Sequence, residues 1–371
     1  METFGDLHLF FQRHDWSPSL TIIPSVYLLA FFVGCLGNSL VLWAYLDRPE
    51  RRRMRDSLIA SLALADLCFL VTLPLWAVYT AMGYHWPFGQ PLCQVSSFLT
   101  ALNMYASVFS LSMLSVERYW VLTGRRPASH HAAQRFPSRA VWVLGGVWVL
   151  AGVLALPGLL LRPVFLSCQM DYSMLIRTDL EEAEREKAEL WWAAALSLKS
   201  TLIGFLLPLV ILLVCYCSLA QLLSRHFGKG PRPDRKRQRR LLKVIVTLVM
   251  AFFLCWLPLH VNKTLSMLLE FGLVPYSCPL DQLLLGAHPY VTCLAYLNSC
   301  LNPLLYAACD PSFRKRCRGA IVMLCWARKR GAKGQRGKMV QGQEEREKKS
   351  LPRLYCLQKV RHCLKTRSVI V

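Results

Sequence analysis

The chain is expected to be an all-α membrane protein, a seven-transmembrane helix bundle with a short amphipathic eighth helix on the inner leaflet. Two observations predict this. Of 371 residues, 54% are hydrophobic and only 18% charged, whereas soluble domains average roughly 25% charged residues. The charges are also segregated: seven stretches carry none or one, namely 16–46, 57–84, 94–116, 140–161, 190–224, 244–269 and 282–309. Each reaches the roughly 20 helical residues that cross a bilayer core. Seven buried helices of a soluble protein would need polar faces that these stretches lack.

Charge placement sets the expected orientation. With the N-terminus outside, segments 47–56, 117–139, 225–243 and 310–371 face the cytoplasm and hold 37 of the 44 Lys and Arg residues. The net charge of +22 therefore reads as topology and attraction to anionic inner-leaflet lipid, and no nucleic-acid partner is expected. Outer segments 1–15, 162–189 and 270–281 carry twelve acids against five Lys and Arg, which predicts an acidic vestibule that steers a cationic ligand. The expected layout is an extracellular N-terminus (1–20), the bundle (21–309), an amphipathic helix (310–326) and a disordered basic tail (327–371), all in a multi-pass plasma-membrane protein. The first helix is expected to act as an uncleaved signal anchor, because residues 1–20 lack the basic start and apolar centre of a cleaved leader.

Along the chain, Asp66 is an acid at mid-depth of the second stretch, where an unpartnered charge costs several kcal/mol. Asn38, Asn103, Ser107, Asn298 and Asn302 are polar residues of other stretches expected to converge on it, forming an oxygen-lined pocket for water or for Na⁺. Cys93 opens the third stretch and Cys168 lies in the loop after the fourth; with Cys278 they are the cysteines on the oxidising side. A Cys93–Cys168 disulfide is expected, leaving Cys278 over. Glu117-Arg118-Tyr119 closes the third stretch at the cytoplasmic border; it reads either as a surface ion pair or as a switch in which Arg118 leaves Glu117 for a partner helix. The loop 162–189 is rich in helix formers at 179–190, which predicts an outward extension of the fifth helix.

Pro208, Pro258 in Cys255-Trp256-Leu257-Pro258, and Pro303 in Asn302-Pro303-Leu304-Leu305-Tyr306 each remove a helix hydrogen bond and make a hinge. Phe252, Trp256, Tyr216 and Tyr306 are the accompanying switch candidates. The basic run Arg235–Arg240 is an orientation signal or a contact for a cytoplasmic partner. Asp310-Pro311 starts the last helix as N-cap and first helical position. Phe313, Cys317, Ile321 and Leu324 recur at helical spacing among basic residues, as on a helix lying on the inner leaflet. Cys317 and Cys325 are palmitoylation candidates.

One motif per stretch, in order, resembles the rhodopsin-like G-protein-coupled receptors: Gly37-Asn38, Leu62-Ala63-Leu64-Ala65-Asp66, Cys93, Glu117-Arg118-Tyr119, Trp148, Pro208 with Tyr216, Cys255-Trp256-Leu257-Pro258, and Asn302-Pro303-Leu304-Leu305-Tyr306. The resemblance covers residues 20–325. Longer strings are similar to receptors of the apelin family: Trp86-Pro87-Phe88-Gly89, Asn103–Phe109, Met170–Met174, His226-Phe227, Lys263-Thr264-Leu265 and Tyr296–Pro303. That resemblance implies a non-enzymatic peptide receptor for the basic peptides apelin and apela. It also implies coupling to inhibitory (Gi/o) proteins and partnership with arrestin. It suggests Trp76, Tyr79, Arg162, Asp171, Lys263, Asp281 and Tyr296 as ligand contacts. Arg162 and Lys263 suit a peptide C-terminal carboxylate, and acidic loop residues suit its Arg and Lys. Residues 1–20 lack the family's Cys, glycosylation sequon and acidic patch, and the tail is poor in Ser.

Other classes fit less well. A retinal protein needs a Lys in the seventh stretch, and 282–309 has none. A transporter or channel wants repeats and several buried charges along a path. An amine receptor wants an acid where Thr100 stands. A chemokine-like or orphan peptide receptor is the alternative ligand class.

Overall fold

The computed structural model describes residues 18–46, 54–122, 136–162, 167–176, 180–226, 233–309, 313–315 and 317–319. Nine α-helices are found among them: α1 (Ser19–Leu46), α2 (Met54–Leu70), α3 (Leu73–Ala81), α4 (Gly89–Leu122), α5 (Phe136–Leu160), α6 (Glu182–Thr201), α7 (Leu207–His226), α8 (Pro233–Glu270) and α9 (Cys278–Cys309). No strand occurs among the described residues. Six helical runs are long and apolar enough to cross a membrane: α1, α2 with α3, α4, the apolar part of α5, α6 continuing into α7, and α8. The seventh span is the 32-residue α9. Its hydropathy is lower than that of the other six because Asn298, Ser299 and Asn302 point into the bundle, where each is buried.

The helices close into a ring in which α9 packs against both α8 and α1, while α4 runs through the middle and touches α2, α5, α7 and α8. Apolar side chains on the outer surface, such as Phe32, Trp142, Val149 and Leu254, face outward without cover, as lipid-facing residues do. Small residues set the close approaches. A Cβ on Gly37 would stand 2.8 Å from the Pro303 ring, and one on Gly34 would stand 2.7 Å from Leu70, so α1 lies directly against α9 and α2 at these points.

Two irregularities were not foreseen. The 57–84 stretch is one crossing but two helices: Pro74 cannot donate to the carbonyl of Leu70, and the chain turns at 71–72. Thr72 holds that turn, its Oγ1 donating to the Phe69 carbonyl at 2.7 Å. The fifth span widens into a π-helical turn over Leu202–Leu206, just ahead of Pro208, joining α6 to α7. As expected, that span reaches outward: α6 already begins at Glu182. Pro258 and Pro303 lie inside α8 and α9.

Phe313 packs its ring on Tyr45 and Tyr306, with centroids 6.3 and 5.9 Å away. Residues from Arg314 form a separate unit, in which 314–315 and 317–319 are helical and Cys317 is a half-buried thiol. The rest of the expected 310–326 helix, Cys325, the 327–371 tail and the 1–17 segment lie outside the described residues.

Candidate functional site

A cavity of about 440 Å³ occupies the half of the ring nearest the Cys93–Cys168 disulfide, a size that suits a small ligand or one end of a larger one. Its walls come from α3, α4, α5, α6, α8, α9 and the loop that follows α5. That loop is fixed in three ways. Cys168 forms a disulfide with Cys93 at the head of α4, as expected. Arg162 Nη1 donates to the Cys168 carbonyl at 2.7 Å. The Asp171 N–H donates to Leu161 O at 3.0 Å. Cys278 is exposed and unpaired among the described residues.

Of the seven expected ligand contacts, four line this cavity: Trp76, Arg162, Lys263 and Tyr296. Tyr79 stands behind Trp76 with ring centroids 5.8 Å apart, buttressing it together with Trp86. Asp171 is not a wall either; its Oδ1 accepts the Ser173 N–H at 2.8 Å and caps a short turn. Asp281 sits in the first turn of α9, away from the cavity lining.

The electrostatics of the interior are set by cations. Among the described residues three cations line the cavity, Arg162, Lys199 and Lys263, and no carboxylate does. Several lining donors have no partner among the described residues: Arg162 Nε, Trp76 Nε1 and Trp256 Nε1. Burial depresses the Arg162 guanidinium below its ordinary pKa, opposed by the phenols of Tyr296, Tyr79 and Tyr172. Burial raises the Tyr172 phenol, with Arg162 pulling the other way. The cavity is thus built to receive negative charge and acceptor oxygens between aromatic walls.

Lys199, Tyr105, His260 and His288 line the cavity and were not foreseen as site residues. Lys199 had a visible signal, a lone charge within 190–224. The histidines gave none. His260 Nδ1 lies 3.0 Å from Thr201 Oγ1, and His288 Nδ1 lies 3.3 Å from Asn262 Nδ2, so both rings are braced by neighbouring side chains.

Below the cavity floor at Trp256, the expected polar convergence is present as geometry. Asp66 is fully buried. Its two oxygens accept from Asn103 Nδ2 at 2.9 Å and Asn302 Nδ2 at 2.8 Å. Ser299 Oγ donates to Asn103 Oδ1 at 3.2 Å, and Asn38 Nδ2 donates to the Ser299 carbonyl at 2.9 Å, so four spans meet. Ser107 Oγ lies 3.4 Å from Asn103 Nδ2. Asn298 is buried beside this group, and its Oδ1, like that of Asn38, has no partner among the described residues.

The switch candidates lie between this core and the end of the bundle opposite the cavity. The Phe252 and Trp256 rings lie 5.9 Å apart along α8, one turn above and below each other. Tyr216 OH is 3.0 Å from Ser115 Oγ, bridging α7 and α4. Glu117 and Tyr306 are buried, and Tyr119 is partly so. The Arg118 side chain and those of Arg235–Arg240 lie outside the described residues.

Residues 37–306 match the family described as 7 transmembrane receptor (rhodopsin family). The chain is 47% identical over 313 residues to apelin receptor B of Danio rerio, covering 82% of this chain and 84% of that one. It is 41% identical over 306 residues to the apelin receptor of Xenopus tropicalis, covering 82% of this chain and 81% of that one. It is 34% identical over 297 residues to type-1 angiotensin II receptor B of Xenopus laevis, covering 79% of this chain and 77% of that one. Ring closure, one motif per span and these matches agree: the chain belongs to the rhodopsin family of seven-transmembrane, G-protein-coupled receptors, as a multi-pass plasma-membrane protein.

Proposed function

We propose that the chain, its N-terminus outside the cell, is a receptor for a basic peptide of the apelin or apela type and activates inhibitory Gi/o proteins. The supporting observation is the cavity itself: aromatic-walled and lined by Arg162 and Lys263, without a carboxylate among the described residues, in a chain 47% identical to an apelin receptor. The peptide's basic part stays at the acidic rim, where Asp171, Asp281 and the Glu residues of α6 lie. Its C-terminal carboxylate enters between Trp76 and Tyr296 and meets Arg162 and Lys263 by charge-assisted hydrogen bonds. Contact with Trp256 shifts α8 about Pro258, the inner ends separate, and Arg118 leaves Glu117 for the G protein. The ligand works by preferring the open arrangement over the closed one.

The Asp66 group is the coupling element in this scheme. Its acceptor oxygens, with the spare Oδ1 atoms of Asn38 and Asn298, suit a Na⁺ ion or waters that hold the closed arrangement. Tyr216, Pro303 and Tyr306 move with it. Inner-leaflet lipid takes the basic juxtamembrane segment through Cys317 and Cys325 if these are acylated, and arrestin competes for the same opened face.

The test is to add apelin or apela to cells expressing the chain and record inhibitory G-protein activation, with surface expression confirmed by an N-terminal tag. Activation at nanomolar peptide supports the reading. Silence at micromolar peptide removes the ligand assignment and leaves the receptor family standing.

A further inference from the structure

One wall of the cavity is apolar and is shared by two helices. Leu154, Ala155 and Pro157 of α5 and Ala193 and Leu196 of α6 form it. The packing of α5 is on α4 and α2. Towards α6 the cavity intervenes, so α5 and α6 flank a seam. Lys199 spans that seam, its Nζ donating to the Leu154 carbonyl at 2.9 Å. Trp192, Leu196 and Lys199 recur at i, i+4 and i+7, so this stripe of α6 faces α5. Trp192 at its head is exposed, and Leu196 one turn deeper is half-buried. On α5 the same gradient appears. Val153 and Leu156 are exposed, while Leu154 and Pro157 beside them are half-buried and line the cavity. Apolar surface therefore runs from the lipid-facing sides of both helices into the cavity. The Ser200 hydroxyl on this wall is spent on its own helix, donating to the Ser197 carbonyl at 2.8 Å.

A bilayer fills apolar surface that helices leave uncovered with its own chains, which are as apolar as Leu. An extended alkyl chain needs no hydrogen bond and matches walls of Leu, Ala and Pro. We propose that the α5–α6 seam is a second binding site, entered sideways from the bilayer, for the alkyl chain of a neutral single-chain amphiphile. The polar head stays at the membrane surface beside Trp192, where amphipathic rings sit. The chain passes between Leu154 and Leu196 and stops at Lys199, which closes the deep end. A neutral head suits the site because the one cation bordering the seam already holds a backbone carbonyl. The wall and the ligand class differ from those of the peptide reading, and the inference does not rest on it. Occupancy would give membrane composition a way into the ligand cavity.

The experiment uses the full chain in one-receptor nanodiscs with no peptide present. The probe is hexadecanol carrying a diazirine near its chain end, and adducts are located by mass spectrometry after irradiation. Leu154 and Leu196 are expected to carry at least about tenfold more adduct than Phe32 and Leu36, exposed residues of α1. That is the occupancy which burying about two methylenes provides. Leu196→Trp fills the seam and is expected to abolish the excess at Leu154. Leu154→Asn keeps the room but makes the wall polar, and is expected to lower the excess at Leu196 several-fold. Leu29→Trp, on the exposed face of α1, leaves both unchanged. A parent-like thermal melt reports folding of each variant. Labelling of Leu154 and Leu196 no higher than that of α1 overturns the proposal, as does an excess that survives both seam variants. If hexadecanoic acid with the same diazirine labels the seam and the alcohol does not, a charge holds the ligand, and the neutral-chain site is wrong. None of these outcomes touches the peptide reading, which is tested by signalling alone.

Discussion

The outer cavity and the Asp66 group lie in the same bundle and treat charge in opposite ways. At Asp66 the charge is answered from within: two amides from α4 and α9 donate to it, and serine and asparagine carry the network on to α1. In the cavity the charges are left open. Lys263 has no hydrogen-bond partner among the described residues, Lys199 has a backbone carbonyl, and Arg162 keeps one donor spare. A buried network whose carboxylate is hydrogen-bonded at both oxygens fixes one arrangement of the helices. A set of unsatisfied donors lowers stability and waits for a ligand that supplies the acceptors. The difference separates residues whose loss should unfold the receptor from residues whose loss should silence it.

The largest effect is expected at Asp66. Asp66→Ala strands the Asn103 and Asn302 amides in the core, at about 1–3 kcal/mol each. The variant should unfold well below the parent in a thermal melt of the detergent-solubilised receptor. Asp66→Asn keeps the shape and one acceptor oxygen but turns an N–H₂ toward a donor, so its melt should fall between the two. Na⁺ sensitivity of ligand binding should vanish in both. A parent-like melt for Asp66→Ala would mean that the network contributes nothing to holding the helices. Close behind is Gly37→Leu. Its added side chain meets Pro303, already 2.8 Å from a Cβ position, and overpacking of this kind costs about 1–3 kcal/mol.

How far each region could be read from sequence follows the same division. The seven spans were legible because a bilayer forces long apolar runs. The Asp66 partners were legible because polar residues in such runs are rare enough to point at one another. The cavity was half legible. Trp76, Arg162, Lys263 and Tyr296 line it, whereas Asp171 spends its carboxylate on a turn and Tyr79 stands one layer back. Sequence placed these two near the site but carried no information on which way their side chains turn. The kink at 71–72 and the π turn at Leu202–Leu206 escaped because both depend on how the backbone relieves a proline, at Pro74 and Pro208. His260 and His288 escaped because a histidine in a span looks the same whether it lines a cavity or a helix contact.

Substitutions in the cavity should reverse the pattern. Lys263 is an exposed residue with no ion pair among the described residues, so Lys263→Met is expected to leave the melt within error of the parent. Peptide potency is expected to drop at least about tenfold, the worth of a charged hydrogen bond. Arg162→Gln should cost as much potency and also a little stability, because it gives up the bond to the Cys168 carbonyl that holds the loop over the cavity. Paired melts and dose-response curves on the same preparations check both. A Lys263→Met receptor that melts low with potency unchanged would place Lys263 among the structural residues and join the two regions into one.

The smallest effect is expected on the outward extension of α6, and it marks the edge of the ligand-facing region. Arg185 and Glu189 form an i,i+4 pair at 3.4 Å, with both side chains about half exposed. Such pairs contribute roughly 0.3–0.5 kcal/mol and are screened by salt. Arg185→Ala should leave the melt unchanged within error. Its effect on peptide potency should be small and opposite in sign to that of Lys263→Met, because removing a cation from the rim makes the vestibule more acidic and raises the encounter rate of a basic peptide. Association rates at low and at physiological salt would show this as a modest acceleration that salt abolishes. A slower association at low salt would mean that the rim does not steer a cationic ligand, and the opposition between acidic rim and basic interior would lose its outer half.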